Sequence, residues 1–190
     1  MEPTPHRGFV VWFTGLPGAG KSTLARIVGR RLEAHGLRVD SLDGNVARAQ
    51  YSESLGYSKH DRDTNVARIA SASSQLARAG TVAIVSVISP YAEARRRARA
   101  LVEQHAPFIE VYVATPLEEC IRRDPRGLYA RALANEIPSF TGISDPYEAP
   151  VDPDLRLDTC GCRPDDSAGV VIQHLEQRGL VSVAAVRRAT

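Results

Sequence analysis

The chain is short of several things, and each shortage excludes something. Its three cysteines, Cys120, Cys160 and Cys162, are an odd number, two of them in a C-x-C pair. That pattern does not make a disulfide framework, and a thiolate metal site would want a second cluster that the chain lacks. No apolar run approaches the roughly 20 residues of a membrane-spanning helix. The opening MEPTPHRG lacks the apolar stretch of a secretion signal, so a cytoplasmic protein is expected. Net charge is only +2, without the concentrated basic surface of a general nucleic-acid binder. Lysine is scarce: of 24 basic residues, Lys21 and Lys59 alone are lysines. Repeats and composition shifts are also missing, so the 190 residues are expected to form one domain.

What is present is an alternation of short apolar runs with helical patterns. Residues 8–15 (GFVVWFTG), 37–43, 81–88, 108–115 and 155–158 read as strands. Residues 21–35, 59–79, 95–105 and 165–178 read as helices, the first with Leu24, Ile27, Val28 and Leu32 on one face. Strands that alternate with helices imply an α/β fold: a central five-stranded, mostly parallel sheet with helices on both faces. The stretch 124–153 breaks the rhythm. It is rich in Pro, Gly and charge, yet carries Tyr129, Phe140 and Tyr147, and is expected to be a lid.

GLPGAGKS, Gly15 to Ser22, fits G-x-x-x-x-G-K-[ST] at every defined position, between a strand and an amphipathic helix. Gly15, Gly18 and Gly20, with Ala19, let successive backbone N–H groups turn toward phosphate oxygens. The following helix, which opens Lys21-Ser22-Thr23, points its positive end at the same place. Lys21 can reach the β- and γ-phosphates and Ser22 can ligate Mg²⁺, so ATP and Mg²⁺ are the expected cofactors. The chain has no N-K-x-D motif of a GTPase switch, and its third strand ends VSVISP without the acid of a large ATPase. A short chain with a lid suits a small-molecule kinase. Its acceptor would be gripped after strand two, where SLDGNVAR stands.

These residues resemble the adenylylsulfate (APS) kinase family. The motifs that carry the resemblance are GLPGAGKST, LDGNVAR, LGYSKHDRDTN, SVISPY, RDPRGLYARAL and FTGISDPYEAP, in order along nearly the whole chain. It implies a P-loop kinase that uses MgATP to phosphorylate the 3′-hydroxyl of adenosine 5′-phosphosulfate (APS), giving PAPS for sulfate assimilation. Asp43, with Asn45 beside it, would stand nearest the transferred phosphoryl group. Arg48, Arg62 and Asn65 would hold the phosphosulfate and sugar. Tyr57 and Phe140 would stack on the two faces of the substrate adenine, and Ile88 and Ser89 would line the pocket. Arg123 and the turn 159–163, with Cys162, lie where the ATP adenine is expected, and Arg126 belongs to the lid cations. The family is commonly dimeric and works beside ATP sulfurylase.

On the residues alone, Arg62 could be an ordinary helix-surface arginine, Tyr57 a packed core residue, and Ser89-Pro90 a plain helix start. The family pattern Asp-Gly-Asp-Asn-Val-Arg appears here as Asp43-Gly44-Asn45-Val46-Ala47-Arg48, with one carboxylate fewer. The lid departs too: Arg126 stands for a usual lysine, Ala130 for another, and Pro138 for a third cation. GISDPYE exchanges Ser and Asp against the family's GIDSPYE. Three readings follow: an APS kinase, a relative acting on another nucleotide-like molecule, or a nucleotide-binding module without catalysis.

Overall fold

The computed structural model describes residues 8–44 and 55–182. Five strands make one sheet: β1 (Val10–Thr14), β2 (Val39–Asp43), β3 (Val82–Ser86), β4 (Phe108–Val113) and β5 (Leu155–Leu157). Their spatial order is β2-β3-β1-β4-β5, and every neighbouring pair is parallel. The helices are α1 (Lys21–Ala34), α2 (Lys59–Arg78), α3 (Ala92–Glu103), α4 (Leu117–Arg123), α5 (Leu128–Leu133) and α6 (Pro164–Gln177).

The continuous apolar runs are explained by two covered faces. β1 and β3 are buried at every position. Val11, Phe13 and Ile84 point into a core closed by Leu24, Val28 and Leu32 of α1 and Val171 and Leu175 of α6. Val10, Trp12 and Val85 point the other way, onto Val66 and Ile69 of α2 and Ala98 and Val102 of α3. The period of two along each strand assigns alternate residues to the two cores.

Parallel strands place all their carboxyl ends on one edge, where open α/β sheets bind ligands. That edge is formed by Thr14 of β1, Asp43 of β2 and Ser86 of β3, and Asp43 is in register with Ser86.

The elements match the sequence reading with three corrections. α3 begins at Ala92, three residues before the expected start, and its N-cap is Tyr91 rather than Ser89. α4 was not expected, and α5 lies within the stretch 124–153 that read as irregular. Helices of six or seven residues complete fewer than two turns, too few for a periodic signal. Among the described residues no helix is long and apolar enough to cross a membrane.

Leu32 is fully buried in the α1 core, away from the carboxyl edge. Leu32→Ala is expected to lower stability by about 2–5 kcal/mol in urea unfolding, through lost burial and a cavity, without moving the edge residues.

Candidate functional site

The phosphate loop is built by close approach. A Cβ on Gly15 would stand 2.5 Å from the Val113 carbonyl oxygen, so only glycine lets the chain leave β1 against β4. The loop is then pinned from outside. The Thr115 hydroxyl donates to the Ala19 carbonyl at 2.9 Å, and Thr159 Oγ1 stands 2.7 Å from Thr115 Oγ1. Arg123 donates to the Thr159 hydroxyl at 3.0 Å and its carbonyl at 2.9 Å, which holds the turn 159–163 against the loop. The Tyr129 hydroxyl donates to the Pro17 carbonyl at 2.9 Å.

Lys21 is buried, and its ammonium donates to the carbonyls of Gly15 at 2.9 Å and Leu16 at 2.8 Å. Burial lowers its pKa to about 8, because desolvation disfavours the charged form. Beside it, Ser22 Oγ donates to Asp43 Oδ2 at 2.7 Å, Ser86 Oγ donates to the same oxygen at 2.8 Å, and the two hydroxyls are 3.1 Å apart. One carboxylate oxygen therefore joins the loop, β2 and β3. This set of hard oxygen donors fits Mg²⁺, which takes few protein ligands and fills its shell with phosphates and waters.

A second cluster lies along the neighbouring segment. Thr14 Oγ1 donates to the Ile88 carbonyl at 2.7 Å and accepts from Ser89 Oγ at 2.9 Å. Ser89 is buried, has φ 40, and accepts from Trp12 Nε1 at 3.2 Å. Its backbone is strained, and it is not the cap of α3. Arg62 and Asn65, one turn apart on α2, are both buried. Arg62 is thus no surface arginine, and Tyr57, 61% exposed, is no core residue. The Arg62 guanidinium lies over the Tyr57 ring at 5.8 Å and donates to the Tyr57 carbonyl at 2.9 Å. Phe140 is half-buried and meets Tyr129 edge to face at 5.1 Å. Asn65 Oδ1 is buried with no hydrogen-bond partner.

The structure therefore brings Gly15, Gly18, Ala19, Gly20, Lys21 and Ser22 together with Asp43. Thr23 is exposed in the first turn of α1. Cys162 is exposed in the turn that Thr159 anchors, and Arg126 is exposed before α5. Asn45 and Arg48 lie outside the described residues. Sequence reasoning missed Ser86, Thr14, Thr115 and Thr141. Ser86 carried a usable signal, because it ends the strand that lacks an acid and pairs with the strand that ends in Asp43.

The lowered Lys21 pKa gives a pH test. The lysine is charged below about 8 and neutral above it, and phosphate favours the charged form. ATP binding is therefore expected to take up protons near pH 8 and to weaken as pH rises through that value. Titration calorimetry in buffers of different ionisation enthalpy checks both.

The adenylylsulphate kinase family model matches residues 7–158. The adenylyl-sulfate kinase of Picosynechococcus sp. is 45% identical over 177 residues, covering 93% of this chain and 98% of that protein. The adenylyl-sulfate kinase of Deinococcus deserti is 51% identical over 168 residues, covering 88% and 91%. A solved APS kinase of Mycobacterium tuberculosis, in complex with AMPPNP and APS, superimposes with a TM-score of 0.88 at 45% identity, covering 90% of this chain and 99% of that one. With a phosphate loop on a parallel sheet, a family model matched over most of its length and relatives of this identity and coverage, this chain belongs to the adenylylsulfate kinase family.

Proposed function

We propose that this protein transfers the γ-phosphoryl group of ATP to the 3′-hydroxyl of APS, giving PAPS and ADP. Phosphoryl transfer depends on positioning and on neutralising charge, and the site offers groups for both. Lys21 and the loop N–H groups hold the β- and γ-phosphates. Mg²⁺, held through Ser22 with Asp43 beside it, supplies charge neutralisation when bound. Asp43 orients the 3′-hydroxyl and takes its proton as the new O–P bond forms and the bond to ADP breaks. Arg123 and the turn carrying Cys162 border the ATP adenine. Arg62, Asn65, Ile88 and Ser89 hold APS, with Arg48 and Asn45 completing that side. Tyr57 and Phe140 flank its adenine, and residues 124–153, with Arg126, form the lid of a single kinase domain.

The observation that carries the acceptor side is Asn65. A buried amide oxygen without a partner is costly, and a ligand hydroxyl or amine would satisfy it. APS itself arises from adenylyl transfer to sulfate, so functional pairing with an ATP sulfurylase belongs to the same proposal.

Purified protein with MgATP and APS is expected to release ADP and to form a product heavier than APS by one phosphoryl group, read by mass. Lys21→Ala should slow the reaction by at least about a hundredfold, the scale of losing one transition-state charge partner. ATP binding without turnover of APS would refute the acceptor and direct the search to other nucleotide-like molecules.

A further inference from the structure

Arg62 spends most of its donors on the protein itself. Of its five N–H groups, one goes to the Tyr57 carbonyl, one to Thr141 Oγ1 at 2.8 Å and one to the Ser139 carbonyl. The other two have no partner among the described residues and remain for a ligand. Asp145 Oδ2 stands 3.7 Å from Arg62 Nε and also accepts from the Tyr91 hydroxyl at 3.3 Å. The arginine side chain is 9% exposed and the aspartate 23%, so their charges face each other largely out of water. Ser139, Thr141 and Asp145 all belong to one turn of the lid segment, closed by the Thr141–Asp145 bridge. That turn carries Phe140.

The other side of the same turn rests on the phosphate loop. Gly142 has φ +94, and a Cβ there would stand 2.9 Å from Leu16 Cδ2. Phe140 packs on Tyr129, whose hydroxyl bonds the Pro17 carbonyl. The turn is therefore wedged between α2 and the phosphate loop, with Thr141, 1% exposed, at its centre.

We propose that Thr141 is a positioning residue that latches the lid to Arg62, so that docking the turn and fixing the acceptor arginine are one event. Thr141 touches neither reacting atom. It holds Nη1 of Arg62, which leaves the two remaining N–H groups aimed at the acceptor's anionic groups, and Asp145 balances the buried charge. Without the hydroxyl, a buried guanidinium N–H loses its partner, the turn loosens, and the acceptor arginine loses its fixed direction. This role rests on the acceptor reading above.

The test is Thr141→Val, which keeps the shape and removes the hydroxyl, with Thr141→Ser as the rescue. The KM for APS is expected to rise about tenfold, the scale of one hydrogen bond to a charged group, with the KM for ATP within about twofold. Trypsin cleavage after Arg126 or Arg131, in the protein without ligand, should become several-fold faster, and Thr141→Ser should restore both readouts. Asp145→Asn serves where Thr141→Val does not fold, and is expected to move both readouts in the same direction. Unchanged APS KM and cleavage, an equal rise in both KM values, or failure of the serine to restore them would overturn the latch. If the wild-type protein does not turn over APS while the valine variant is cleaved faster, the acceptor reading fails and the latch stands.

Discussion

Asp43 Oδ2 accepts hydrogen bonds from Ser22 and Ser86 and so ties the phosphate loop to the ends of β2 and β3. Hydrogen bonds to a charged group stabilise by about 1.5–3 kcal/mol each, roughly twice a neutral pair. The geometry depends on the parallel register, which sets Asp43 opposite Ser86, and on Gly15, which lets the loop turn back over the strand ends. In many phosphate-loop proteins the carboxylate comes from the third strand in sequence. Here that strand ends in a serine, and the acid reaches the same place from the neighbouring strand. Ser22 and Asp43, the residues proposed to hold the metal and to face the acceptor, are thereby held in one hydrogen-bonded unit.

Around that centre, buried arginines organise the side where the acceptor is proposed to bind. Arg95 donates to the carbonyls of Ser89 at 2.7 Å and Glu148 at 2.6 Å and pairs with Glu110 at 3.1 Å. Burial pushes the Glu110 carboxyl up, while Arg95 and Arg99 draw it back down. The strained backbone at Ser89 costs on the order of 1–3 kcal/mol, and the bonds from Trp12, to Thr14 and from Arg95 are what retain it. Glu148 also accepts from the Ala92 N–H at 2.7 Å, so the trailing end of the segment 124–153 caps α3. Tyr147 shares its hydroxyl with Thr14 at 2.9 Å, and burial raises its pKa. The segment 124–153 is thus anchored at its end by Arg95 and met in its middle by Arg62.

The phosphate loop was legible because it is local: eight consecutive residues with a strand before and a helix after. Asp43 was legible as the only acid at the end of its strand. Ser86 was only half legible: the sequence marks it at the end of a strand without an acid, but its bond to Asp43 appears only when two strands 43 residues apart in sequence are set in register. Thr141 was hidden for the same reason, its partner lying 79 residues away. Family resemblance placed Arg62 at the acceptor but gave no sign of its three bonds within the chain. The short helices α4 and α5 lacked enough turns to show a period, and Asn45, the departure that removes a carboxylate, lies outside the described residues.

The most direct test of Asp43 as the organiser of transfer is a single-turnover, rapid-quench measurement on Asp43→Asn beside AMPPNP binding to the same variant. Transfer to APS is expected to slow by at least about a hundredfold with AMPPNP affinity within a few-fold, the pattern of a group needed in the transition state more than in the ground state. A transfer rate near that of the unaltered protein would contradict it, because the carboxylate charge would then be dispensable for the chemistry.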